Sequence, residues 1–231
     1  MTLTVNGLTY ARNKKLLFNQ LTFDISAGEA LHILGPNGVG KTSLLQILTG
    51  LILPLNGKML WHGVATSESP SFKKNVLYLS HRLGMKSALT PFENLYLFTL
   101  RRGFEQVYAA HLNFQLCSRS VRIKEIKQVV KDNINDVLLK LDLLPYSKIV
   151  TGLLSVGQQR RLLLAKLLLV RADCWILDEP CNTLDIQAIN FFLVLIEAQL
   201  RRGGIVIFTS HQSFSLSKIV IKKLFLGETP V

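Results

Sequence analysis

The stretch Gly35-Pro36-Asn37-Gly38-Val39-Gly40-Lys41-Thr42 fills every fixed position of the phosphate-binding pattern G-x-x-x-x-G-K-[ST]. An apolar run from Ala30 to Leu34 precedes it, and a helical pattern from Ser43 to Leu48 follows. Glycines let successive backbone N–H groups point at phosphate oxygens, and the helix dipole adds to the attraction. The stretch therefore predicts a strand, a loop and a helix that bind a nucleoside triphosphate.

Lys41 is expected to reach the β and γ phosphates, and the Thr42 hydroxyl is expected to ligate Mg²⁺. The residues predicted to hold the nucleotide are Gly35, Pro36, Asn37, Gly38, Val39, Gly40, Lys41, Thr42 and Ser43.

Two adjacent carboxylates, Asp178 and Glu179, directly follow the apolar run Cys174 to Leu177. They are predicted to emerge at the carboxyl end of a buried strand, where ligands of parallel sheets bind. Alone, such a pair is usually solvated surface. Beside a phosphate-binding loop, Asp178 is suited to hold Mg²⁺ and Glu179 to orient and deprotonate an attacking water.

The hydrophobic pattern changes twice along the chain. Short alternating segments in the first thirty residues predict an antiparallel sheet. Residues 90 to 144 have longer helical patterns, with Pro91 suited to a first helical turn. Strand patterns then return at 174–177, 204–209 and 219–221, which predicts βαβ units and a mainly parallel central sheet.

The formal charge of +12 favours attraction to nucleic acid or to anionic lipid headgroups. No aromatic residues interleave with the basic cluster between 119 and 131, so a solvated face is favoured over a base-stacking platform. A mean hydropathy of +0.30 indicates apolar surface reserved for a partner. No run reaches the roughly 18 apolar residues of a spanning helix, and no signal peptide is expected.

The stretch Leu154-Ser155-Val156-Gly157-Gln158-Gln159-Arg160-Arg161 resembles the signature motif of ATP-binding-cassette ATPases. Asn182 to Asp185 resembles the loop after that family's catalytic glutamate, and Thr209-Ser210-His211 its switch histidine. The resemblance implies an α/β fold, a P-loop NTPase (RecA-like) parallel-sheet core with an N-terminal antiparallel β subdomain and a helical subdomain. It implies one ATP-binding domain over 1–231, with the core at 1–80 and 155–231 and a helical lobe at about 81–154.

The same resemblance implies the site. Glu179, His211 and Lys41 would be catalytic, with His211 at the γ-phosphate. Thr42 and Asp178 would hold Mg²⁺. Further ATP contacts would come from Tyr10, which would stack on adenine, and from His81, Ser155, Gly157, Gln158 and Asp185.

A second phosphate site at the start of the signature helix suggests a second chain. In the family, two copies face head to tail, and each signature helix closes on the ATP held by the other copy. ATP would therefore close a homodimer, and hydrolysis would reopen it.

The chain departs from the family at two positions. Val156 replaces a signature glycine, which should be tolerated only if the backbone there needs no positive φ. His81 replaces the glutamine that contacts Mg²⁺ and the attacking water, and a histidine could make turnover sensitive to pH.

The segments Tyr78 to His81, Gly84 to Lys86 and Trp175 to Pro180 are similar to the ATP-binding subunits of cytochrome c maturation complexes. This similarity implies a peripheral subunit on the cytoplasmic face of a bacterial inner membrane, or an equivalent organelle membrane. Its partners would be integral subunits, a haem exporter permease and haem-handling proteins, with no specific nucleic acid. The alternatives are an ATPase subunit of another transporter and a nucleotide-gated clamp on nucleic acid.

Overall fold

The computed structural model describes residues 1–80, 84–102, 123–210 and 221–227, with side chains from 127 onward in the third range. Its strands are β1 (Thr2–Arg12), β2 (Lys15–Ser26), β3 (Ala30–Leu34), β4 (Asn56–Trp61), β5 (Val64–Ala65), β6 (Val76–Leu79), β7 (Cys174–Asp178), β8 (Ile205–Thr209) and β9 (Ile221–Phe225). Its α-helices are α1 (Lys41–Leu48), α2 (Pro70–Asn75), α3 (Pro91–Arg102), α4 (Ile123–Lys140), α5 (Val156–Leu169) and α6 (Ile186–Arg201).

The chain folds into two compact units. The first comprises Met1–His81, Ala172–Pro180 and Leu193–Val231, and the second comprises Arg82–Arg171 and Cys181–Phe192. The predicted division instead placed residues 155–171 and 181–192 with the core. Residues 155–171 fall in the second unit because α5 packs with α3 and α4.

A five-stranded parallel sheet forms the centre of the first unit, in the order β6-β7-β8-β3-β9. Every residue of β7 and β8 is buried, which explains their continuous apolar sequences. The sheet brings the carboxyl ends of β3, β7 and β8 to one edge. The predicted parallel core is therefore confirmed.

A second sheet of four antiparallel strands, in the order β2-β1-β4-β5, completes the first unit. On β1, Leu3, Val5 and Leu8 are fully buried. They join a core that α1, β3 and β7 also line, which includes Leu44, Ile33 and Ile176. The predicted antiparallel β subdomain is present.

The second unit is helical. Side chains of α3, α4 and α5, with Leu141, Leu143 and Val170, form a separate apolar core. As predicted, α3 begins at Pro91. None of the helices in the described ranges is both long and apolar enough to span a bilayer.

One strand boundary differs from the sequence prediction. The expected strand at 219–221 overlaps β9 only at Ile221, since β9 runs on to Phe225, and 219–220 lie outside the described residues. The polar pair Lys222 and Lys223 interrupts the apolar pattern, but β9 is an edge strand with exposed positions that accept charged residues.

Candidate functional site

The phosphate-binding loop lies between β3 and α1, in the order that its sequence predicts. β3 ends at Leu34, and α1 begins at Lys41 after Gly40 at φ 110°. Gly35 has φ 142°, and a Cβ there would lie 2.6 Å from the carbonyl oxygen of Leu226. The shape of the loop therefore depends on glycine at position 35.

Lys41 is folded over the loop that precedes it. Its Nζ donates hydrogen bonds to the carbonyl oxygens of Gly35, at 2.6 Å, and Pro36, at 3.0 Å. The residue is 8% exposed. Its ammonium group is placed where phosphate oxygens, which form stronger charge-assisted hydrogen bonds, could replace the carbonyls as partners.

A hydrogen-bond network surrounds Asp178, the last residue of β7. Its carboxylate accepts from the hydroxyl of Thr42 at 2.9 Å and from the hydroxyl of Thr209 at 2.9 Å. Asp178 is 2% exposed. The structure thus brings together Thr42 and Asp178, whose hard oxygen donors fit Mg²⁺.

Glu179, the residue that follows Asp178, has an uncommon backbone conformation. Its φ is 49°, in the left-handed region that residues other than glycine seldom adopt. Its backbone N–H donates to the Thr209 hydroxyl at 2.9 Å, so Thr209 bonds both carboxylate residues. Strained backbone of this kind concentrates at functional sites.

A cleft of about 630 Å³ opens at the phosphate-binding loop and Glu179. Its lining includes the loop, the start of α1 and one hairpin tip: Arg12, Asn13, Lys15, Leu17, Asn37, Gly38, Gly40, Lys41, Thr42, Ser43 and Glu179. A single space therefore reaches the phosphate-binding loop, one predicted Mg²⁺ ligand and the predicted base.

The hairpin tip between β1 and β2 lines the cleft, although no sequence motif had indicated it. Asn13 and Lys14 both have positive φ, at 52° and 62°, as a two-residue type I′ turn requires. The turn pairs Arg12 with Lys15 at the mouth of the cleft. The sequence feature that could have indicated this turn is the pair Asn13-Lys14 between two alternating segments.

Tyr10 lies on β1 with its ring centroid 6.0 Å from that of Phe18 and packs against the core of the first unit. Among the described residues, the cleft lining includes Arg12 and Leu17 but not Tyr10. Stacking of Tyr10 on adenine stays a prediction.

The signature motif begins α5 in the second unit. Ser155 is the N-cap, its hydroxyl accepts from the N–H of Gln158 at 3.2 Å, and the Gln158 side chain accepts from the Ser155 N–H at 2.9 Å. This reciprocal pair is a capping box. Val156 is the first helical residue and has no positive φ, so the substitution for glycine causes no backbone strain.

Asp185 stabilises the start of α6. Its carboxylate accepts from the backbone N–H of Ala188 at 2.8 Å and from the guanidinium of Arg161. The Ala188 N–H, followed by the Arg161 guanidinium, lowers the pKa of Asp185. The structure therefore gives Asp185 a capping role within its own unit.

Two predicted site residues, His81 and His211, lie outside the described residues. Their placement at the nucleotide stays a prediction. Across the described ranges, no group of three or more His, Cys, Asp or Glu residues is arranged to hold a metal ion.

A family model described as ABC transporter matches residues 18–182. The chain belongs to the ABC transporter family. The match includes the phosphate-binding loop, the signature helix and the Asp178-Glu179 pair, and it makes the chain an ATPase of that family. Nucleotide binding follows from membership.

Individual ABC proteins resemble the chain over almost its whole length. A cytochrome c biogenesis ATP-binding export protein from Tatumella citrea is 36% identical over 97% of this chain and 95% of its own. The protein of that description from Mannheimia succiniciproducens is 38% identical over 96% and 93%. An ABC transporter ATP-binding protein from Pyrococcus furiosus has a TM-score of 0.72 at 26% identity, covering 98% of both chains.

Proposed function

We propose that this ABC ATPase is the ATP-hydrolysing subunit of a haem export complex for cytochrome c maturation. The observation that carries the proposal is the near full-length similarity to cytochrome c biogenesis ATP-binding export proteins, at 34–38% identity. ATP binding and hydrolysis would drive the release of haem-loaded chaperone protein from its membrane partners.

The positions of Lys41, Thr42, Asp178 and Glu179 support the following roles, and the role of His211 rests on the family resemblance. Lys41 and the loop N–H groups would bind the β and γ phosphates. Thr42 and Asp178 would hold Mg²⁺, which neutralises charge that develops on the phosphates. Glu179, at the cleft beside them, would orient the attacking water and accept its proton. His211 would contact the γ-phosphate.

A homodimer would complete the site from the second copy's signature helix. A Cβ on Gly157 would meet the Thr183 carbonyl oxygen at 3.8 Å, which is ordinary contact, and Gly157 has no positive φ. Packing within the unit therefore does not require glycine. Gly157 would let a phosphate group approach the helix N-terminus closely, beside Ser155 and Gln158. This approach supplies a reason for a glycine at position 157.

The complex would sit at the cytoplasmic face of the membrane. Exposed Leu51, Leu53 and Leu55 follow α1, with exposed fractions of 65%, 81% and 62%, and such apolar surface suits contact with integral subunits. Co-purification from native membranes tests this assignment. A haem-handling integral protein should accompany the chain, and capture of a permease for another substrate would contradict it.

Hydrolysis depends on Glu179 in this mechanism. Glu179→Gln removes the base but keeps the shape, so we expect turnover to fall by about 10²–10⁴-fold while ATP binding persists. Steady-state phosphate release and nucleotide binding measure the two effects. The exposed Glu68→Gln variant is the matched control and should hydrolyse ATP normally. Near-normal turnover of Glu179→Gln would contradict the assigned role.

A further inference from the structure

The cleft at the phosphate-binding loop extends to the hairpin tip between β1 and β2. Lys41 and the start of α1 line it at the loop, and Arg12 and Lys15 line it at the tip. A nucleotide whose phosphates bind at the loop also carries a ribose and a base, and both have to fit into the same space. The residues at the tip are therefore the candidates for contact with the base.

The part of the cleft next to the loop has an apolar wall. Leu17 lines the cleft and is half-buried. A Cβ at Gly40 would lie 3.1 Å from the Cβ of Leu17, so β2 packs directly against the residue that precedes α1. An apolar side chain offers no hydrogen bond to a phosphate, but it suits the apolar faces of a ribose or a base. This wall therefore favours the nucleoside part of the ligand.

Tyr10 and Arg12, two positions apart on β1, have different surroundings. Tyr10 is half-buried, pairs in register with Phe18 and packs against the core of the first unit. Within the ranges that the structure describes, Tyr10 is not among the residues that line the cleft. Arg12 is exposed, lines the cleft and pairs in register with Lys15. Of the two β1 side chains, only that of Arg12 borders the space available to the ligand.

The chemistry of the Arg12 side chain suits a base. A guanidinium is planar, delocalised and weakly hydrated, so it stacks on aromatic faces, whereas the ammonium of Lys15 is a compact point charge. None of the ion pairs between described residues involves Arg12. We infer that the guanidinium of Arg12 stacks on the nucleobase, at the position that the family resemblance gives to Tyr10. This inference rests on the proposed binding of the phosphates at Lys41.

Binding of ADP and of inorganic pyrophosphate to the full chain separates the base from the phosphates, because only ADP carries a nucleoside. We expect Arg12→Ala to raise the Kd of ADP by about 3- to 20-fold and to leave the Kd of pyrophosphate within about 2-fold of the wild type. Arg12→Tyr, which exchanges one stacking side chain for another, should restore most of the affinity for ADP. Calorimetric titration measures both constants.

Lys15→Ala is the matched control, because it removes a positive charge at the same hairpin tip. It should change the two Kd values by the same factor. Equal changes of both Kd values in Arg12→Ala would mean that Arg12 acts only through its charge, and they would overturn the inference. A loss of ADP affinity in Tyr10→Leu that Arg12→Ala does not show would overturn it as well.

Lys41→Ala distinguishes this inference from the proposal on which it rests. This variant should bind both ADP and pyrophosphate more weakly, because it removes the ammonium group at the phosphates. If it weakens neither ligand, the proposed phosphate site is wrong, and the inference falls with it. If it weakens both ligands but Arg12→Ala binds ADP as the wild type does, the inference alone is wrong.

Discussion

At the scale of single residues, the Thr209 hydroxyl links the two carboxylate residues. It donates to Asp178 at 2.9 Å and accepts from the Glu179 N–H at 2.9 Å, and Thr209 is fully buried. One hydroxyl therefore satisfies an acceptor on β7 and a donor on the strained residue after it. The network orients Asp178 toward Thr42.

Thr209→Val tests this link. Valine has nearly the same shape but leaves a buried carboxylate oxygen and a backbone N–H without this partner, so we expect a loss of about 1–3 kcal/mol in the free energy of unfolding. Urea denaturation measures it. The control is Thr22→Val, because Thr22 is exposed and water can replace its hydroxyl at the Gly7 N–H. Equal stability of the two variants would contradict the structural importance of the network.

At the scale of elements, α5 carries a half-buried charged side chain, Lys166. The Nζ of Lys166 lies 5.4 Å from the ring centroid of Phe98. Burial lowers the pKa of Lys166 to about 8. The folded state therefore holds this proton less tightly than the unfolded chain does.

Lys166 should make the free energy of unfolding increase with pH in the alkaline range. Below about pH 8 both states are protonated and the cost of the buried charge is constant. Above about pH 8 the folded state loses the proton first. The free energy of unfolding therefore increases with pH until the pH reaches the unfolded pKa, near 10.5. Relative to Lys166→Met, the wild type should gain roughly 1–3 kcal/mol between pH 7.5 and about 10. Urea denaturation at several pH values measures the gain.

The control for this prediction is Lys140→Met, at an exposed position of α4. Its stability difference from the wild type should not change in the same way with pH. A constant difference between Lys166→Met and the wild type across the range would show that the ammonium group of Lys166 is not desolvated.

At the scale of the whole molecule, the proposed dimer places Ser155 of one copy at the ATP of the other. Within one chain the Ser155 hydroxyl is occupied as a helix cap. The structural and the functional roles of this side chain therefore have to be separated by a substitution that keeps one and removes the other.

Ser155→Asp makes that separation. Aspartate caps a helix as well as serine does, so the free energy of unfolding should stay within about 0.5 kcal/mol of the wild type. Its negative charge would repel the phosphates of ATP held by the other copy. In a Glu179→Gln background, light scattering with ATP should show a dimer, and the added Ser155→Asp should abolish it.

Ser67→Asp, which adds the same charge at an exposed position, is the control and should leave dimerisation intact. A Ser155→Asp protein that still dimerises with ATP would overturn the head-to-tail arrangement. Loss of helix stability in this variant, detected by urea denaturation, would instead contradict the capping geometry.

The sequence by itself determined the features that are made by neighbouring residues. The loop from Gly35 to Thr42 and the start of the signature helix after Ser155 depend on backbone angles and hydrogen bonds within a few positions. The sheet type also followed, because continuous apolar runs such as β7 fit only a strand buried on both faces.

Only the tertiary structure decided which distant residues meet. His32 reaches a carbonyl 178 positions away, and Asp178 reaches Thr209 across 31 positions. Arg12 and Lys15 at the hairpin tip line the cleft because the pairing of β1 with β2 continues as far as these two residues. Strand order is fixed by the packing of whole faces, and no local pattern of residues contains that information.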